Sequence, residues 1–132
     1  MSEKNQVKMT KRYKLLVIDD SERVADMLTR FLSQKYDVIT AYKGLDGLKT
    51  FEAHKSEIDL VITDLVMPAI SGVGVISVIK KKYPGTPVIA ITGGGEHPAA
   101  LAMEADADVV LSKPFKFEDL DHHVTELLAK RG

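Results

Sequence analysis

Asp19 and Asp20, Asp64, Thr92 and Lys113 each stand at the end of a short apolar run: KLLVI, IDLVIT, VIAI and VVLS. Carboxylates are the ligands of hard cations and can act as nucleophiles, a hydroxyl can donate to an anion, and an ammonium can neutralise one. These residues are far apart in sequence. In an open parallel sheet, however, ligands bind beyond the carboxyl ends of the strands, where the strand order reverses, so strand-terminal polar groups converge on one pocket. Three carboxylates, a hydroxyl and an ammonium are therefore expected to share a site.

The elements that must position them follow from the apolar pattern. Strands are expected over Lys14 to Ile18, Val38 to Ala41, Ile58 to Thr63, Val88 to Ile91 and Val109 to Leu111. Between them, Val24, Leu28, Phe31 and Leu32 form one helical stripe, and Leu120, Val124, Leu127 and Leu128 another. Helices also fit Leu45 to His54, Ser71 to Tyr83 and Pro98 to Ala105, with Ser21 as an N-cap and Pro98 in a first turn. The alternation predicts a (βα)5 fold of the α/β class, a doubly wound five-stranded parallel sheet with helices on both faces.

Composition narrows the function. The chain has 132 residues and a formal net charge of -1, which suits one compact domain and lacks the basic excess of a nucleic-acid binder. With no cysteine, disulfides, thiolate catalysis and Cys-ligated zinc are excluded. There is no apolar leader and no run of membrane-spanning length, so no membrane insertion is expected and the cytoplasm is the default location. Residues 1 to 12 carry Lys4, Lys8, Lys11 and Arg12 without periodicity and read as a flexible tail; residues 13 to 132 read as one domain without an output domain.

The motifs LLVIDDS, ITDLVMP, IAITGG and LSKPF, in this order at strand ends over about residues 13 to 131, resemble the receiver domain of two-component response regulators, the family of the chemotaxis protein CheY. The resemblance implies the flavodoxin-like strand order 2-1-3-4-5. It also implies a signalling domain rather than an enzyme, which assists only its own phosphotransfer and dephosphorylation. By this resemblance Asp64 is the phosphoacceptor. Asp20, Asp64 and the backbone carbonyl of Val66 ligate Mg²⁺, with Asp19 acting through water. Lys113 contacts a phosphoryl oxygen, the Lys113-Pro114 bond is cis, and Thr92 binds the phosphoryl group after transfer. The implied partners are a histidine kinase or phosphotransfer protein and a downstream target protein. The alternative is a receiver-like module that docks independently of phosphorylation.

Each residue also has a plainer reading. Asp19 and Asp20 suit a helix N-terminus, Thr92 a strand, and Lys113 a solvated surface; they gain meaning only in register with Asp64. His54, His97, His122 and His123 read as solvated, Lys80 to Lys82 as a complement to a helix C-terminus, and Met103 as core. A flavodoxin-like FMN site is disfavoured because the loop after the first strand begins Asp19-Asp20-Ser21-Glu22, which repels phosphate. A haloacid-dehalogenase-like phosphatase needs a second acid two residues after the nucleophile, where Val66 stands. Two departures from the family pattern bear on switching. Val110 replaces the usual aromatic, so the response is expected to run through Thr92 and the permissive Gly93-Gly94-Gly95 run. Asp106 replaces a glycine, in a position where aspartate tolerates left-handed backbone.

Overall fold

The apolar runs and helical stripes give ten alternating elements among the described residues. In the computed structural model, which describes residues 12–93 and 96–131, the strands are β1 (Lys14–Ile18), β2 (Asp37–Ala41), β3 (Ile58–Asp64), β4 (Val88–Thr92) and β5 (Val109–Ser112). The helices are α1 (Glu22–Leu32), α2 (Gly44–His54), α3 (Gly72–Lys82), α4 (Glu96–Glu104) and α5 (Phe117–Arg131). All strand pairings are parallel and the order is β2-β1-β3-β4-β5. The order reverses between β1 and β3, the two strands that end in the aspartates.

Period-two alternation divides the sheet into two buried faces. Leu16, Ile18, Val61 and Ala90 pack with Phe51 of α2 and Val75, Ile76 and Ile79 of α3. Leu15, Val17, Ile62 and Ile89 pack with Leu28 and Leu32 of α1 and Leu120, Val124 and Leu128 of α5. Each fully buried aliphatic side chain contributes about 1.5–3 kcal/mol, so both layers hold the strand ends in place. Ser21 caps α1 by accepting the Val24 N–H at 3.3 Å, and Ser71 caps α3 by accepting that of Gly74 at the same distance. Ser71 is thus the residue before its helix rather than its first residue.

Three strands run one residue past the apolar pattern, because ladder pairing of Asp64 with Ile91 and of Thr92 with Ser112 outweighs the polar side chains. Arg12 is not part of a free tail: its guanidinium bonds Asp37 Oδ1 at 3.0 Å and the carbonyls of Ser33 and Tyr36 at 2.8 Å each. Residues 1–11 lie outside the described residues. Met103 is not core; it is 53% exposed, because Ala102, the next residue round α4, is the one that faces the sheet. His123 is half-buried rather than fully solvated. Lys80 does more than complement a dipole, binding the Thr86 carbonyl at 2.9 Å and Asp108 Oδ2 at 2.8 Å. Asp106 takes the left-handed backbone that its residue type tolerates, at φ 74°. No helix among the described residues is long and apolar enough to cross a membrane.

Candidate functional site

Register brings the aspartates together. Ile18 pairs with Thr63, so the residues that follow, Asp19 and Asp64, leave adjacent strands at the same level. Asp64 pairs with Ile91 and Thr92 with Ser112, which sets Thr92 and Lys113 beside them. Asp19, Asp20 and Asp64 each offer a carboxylate oxygen within 4.8 Å of the others, the one such acidic group among the described residues. Asp19 and Asp64 are buried, while Asp20 is exposed at the rim.

Backbone amides orient the two buried carboxylates. The Ser21 N–H donates to Asp19 Oδ1 at 2.9 Å and the Leu65 N–H to Asp64 Oδ1 at 3.0 Å. The Lys113 ammonium stands 3.9 Å from Asp19 Oδ2 and 3.9 Å from Asp64 Oδ1. It neutralises both at close range without a short hydrogen bond to either. Its backbone N–H donates to the Thr92 carbonyl at 2.7 Å, and the Lys113-Pro114 bond that follows is cis.

Crowding shows in the titration of the pair. Burial, then the neighbouring Asp19 carboxylate, pushes Asp64 up to about 6 against the pull of Lys113 and the Leu65 amide. Asp19 is also raised, first by burial, with the Ser21 amide and Lys113 opposing. Three oxygen ligands with excess negative charge fit a hard divalent cation, which would relieve the same repulsion.

The remaining expected site residues are distributed around this pocket. Val66 lies two residues past Asp64 and is 61% exposed. Thr92 is fully buried at the end of β4. Gly93 is exposed, and a Cβ there would stand 3.7 Å from Lys113 Cδ. Gly94 and Gly95 lie outside the described residues. Val110 pairs with Ala90 and packs, half-buried, in the layer that holds α2, α3 and α4.

Sequence reasoning missed the residues that seat the loop after β3. The Asp64 carbonyl oxygen fills the place a Cβ on Gly72 would take, and the Gly72 N–H donates to the Leu65 carbonyl at 2.9 Å. Ala69 carries φ 69° in that loop. Glycine just after a serine cap is a legible signal; a left-handed alanine has none. An apolar cavity of about 210 Å³ beside Lys113, lined by Val24, Met27, Leu28, Pro114, Phe115 and Phe117, was also missed. Its residues are split between α1 and the segment that runs from the end of β5 into α5.

The family model for the response regulator receiver domain matches residues 15–125. The chain belongs to that family. Among curated relatives, this receiver domain is 31% identical over 119 residues to the alkaline phosphatase synthesis transcriptional regulatory protein PhoP of Bacillus subtilis, covering 89% of this chain and 49% of that protein. It is 39% identical over 89 residues to the transcriptional regulatory protein GlrR of Escherichia coli, covering 67% of this chain and 20% of that protein. The chain thus spans half or less of these relatives. A response regulator receiver domain protein from Clostridium thermocellum has the same fold with a TM-score of 0.86 and 35% identity, covering 90% of this chain and 96% of that one. The receiver domain therefore has the family's doubly wound α/β architecture and is a module of two-component signalling.

Proposed function

We propose that Asp64 accepts a phosphoryl group from a phosphohistidine on a histidine kinase or phosphotransfer protein, and that the modified domain changes its affinity for a target protein. The observation that carries this reading is the placement of Lys113 within 3.9 Å of both Asp19 and Asp64 at the strand-order reversal.

Asp64 Oδ2 attacks phosphorus while the Leu65 amide holds Oδ1. An oxygen–phosphorus bond forms, the phosphorus–nitrogen bond of the donor breaks, and its electron pair returns to the imidazole, which takes a proton from solvent. Asp20, Asp64 and the Val66 carbonyl are the direct ligands assigned to Mg²⁺, and Asp19 acts through water. When bound, Mg²⁺ supplies positive charge that offsets the repulsion between carboxylate and phosphoryl anion. Lys113 neutralises a phosphoryl oxygen, and Thr92 donates its hydroxyl to another. In dephosphorylation, water attacks phosphorus and gives up a proton to solvent, the acyl-phosphate oxygen–phosphorus bond breaks, and the Asp64 carboxylate is restored as inorganic phosphate leaves. The cavity between α1 and Phe115 supports docking of an apolar partner side chain beside Lys113.

A second reading keeps the acidic pocket and drops the switch, so that the domain docks independently of phosphorylation. Phosphotransfer from a phosphorylated histidine-containing domain to Asp64, with Asp64→Asn as control, separates the two. Transfer to the wild type alone supports the switch reading, and no transfer from any donor favours constitutive docking.

A further inference from the structure

We infer that α2 is a brace that sets the spacing of the acidic pocket, with Gly44 and Gly47 as positioning residues for Asp64 and for Asp19 and Asp20. This inference rests on the metal-dependent reading above.

The two glycines stand one turn apart on α2 and are both buried. A Cβ on Gly44 would lie 2.6 Å from Ile70 Cγ2 and 2.8 Å from the Ile70 carbonyl oxygen. Ile70 belongs to the loop that follows Asp64 and contains Val66. A Cβ on Gly47 would collide with Ile18 Cδ1 and lie 2.7 Å from Ile18 Cγ1. Ile18 is the residue before Asp19, whose own N–H donates to the Ala41 carbonyl at 3.1 Å, on the strand that leads into α2. One helix face therefore touches both chain segments that bring carboxylates to the pocket.

Glycine is disfavoured in a helix relative to alanine. Here two of them remove the side chains that would otherwise push Ile18 and Ile70 away. Packed interiors transmit such displacements rather than absorbing them. Mg²⁺ demands near-ideal octahedral geometry, so a shift of about half an ångström in one ligand segment is felt as lost affinity. A glycine that serves only close packing would lower stability and leave metal affinity alone.

The test is Mg²⁺ affinity by calorimetry, read beside the melting temperature of the metal-free protein. Gly44→Ala is expected to weaken Mg²⁺ roughly tenfold, the scale seen when groups behind metal ligands are changed, and Ile70→Ala in the same chain is expected to recover part of the loss. Gly47→Ala meets only side-chain atoms and so tolerates folding better; it is expected to weaken Mg²⁺ in the same direction, with recovery on Ile18→Val. Leu128→Ala, in the opposite layer, is expected to lower the melting temperature without changing the affinity. If Gly44→Ala does not fold, Gly47→Ala decides. Wild-type affinity in the folded glycine variants overturns the brace, as does a loss that Leu128→Ala reproduces. A wild-type chain that binds no Mg²⁺ overturns the metal-dependent reading and the brace with it.

Discussion

The Lys113 ammonium lies 3.9 Å from Asp64 Oδ1, near enough to lower its pKa and too far for a hydrogen bond. Lysine thus stabilises the ionised carboxylate without occupying the oxygen. Lys113→Met should raise the Asp64 pKa further and slow phosphorylation by about a hundredfold, the typical effect of removing a group that stabilises transition-state charge. Carboxyl NMR titration and phosphorylation kinetics check the two effects; an unchanged pKa would remove Lys113 from the pocket's electrostatics.

Stability in metal-free buffer should rise as the pH falls. Asp64 has a folded pKa of about 6 against an ordinary value of 3.8, so the folded state binds its proton more tightly than the unfolded chain. The stabilisation is full below the ordinary value and lost as pH rises through about 6. Allowing for solvent reaching the pocket, it amounts to roughly 2 kcal/mol. Denaturant titrations of wild type and Asp64→Asn across this window should differ by that amount in slope-integrated stability, and parallel curves would refute it.

Asp20 raises the pKa of both buried aspartates although it is itself exposed. Asp20→Asn should therefore melt higher than wild type in metal-free buffer and lose most Mg²⁺ affinity. Calorimetry showing unchanged affinity would contradict its assignment as a ligand.

Ala69 sits at φ 69° in the loop after β3, where left-handed backbone costs an L-residue about 1–2 kcal/mol. Ala69→Gly removes that cost and adds unfolded-state entropy, for a net gain of about 0.5–1 kcal/mol. Urea unfolding is the measurement. A loss of stability would mean that the Ala69 methyl group packs usefully.

The fold and the acidic pocket were legible because both depend on local pattern. Each of the five strand cores is continuously apolar or nearly so, and the polar residues that terminate them share one end of a parallel sheet by topology alone. The strand ends at Asp64 and Thr92 were less legible, since their membership comes from cross-strand pairing with Ile91 and Ser112 rather than from hydrophobicity. Arg12 was misread because its anchors, Asp37 and the carbonyls of Ser33 and Tyr36, lie more than twenty residues away. Met103 was misread because an apolar side chain beside a small buried one leaves the helix phase ambiguous. Gly44 and Gly72 carry meaning only through the atoms that approach them, Ile70 at the one and the Asp64 carbonyl at the other, which no composition rule records.

Asp64 as the phosphoacceptor is tested by peptide mass mapping after incubation with a small acyl-phosphate donor and Mg²⁺. One phosphoryl group is expected, on the peptide that contains Asp64, absent without Mg²⁺ and absent in Asp64→Asn. A phosphoryl group of equal occupancy on the Asp64→Asn chain would contradict it.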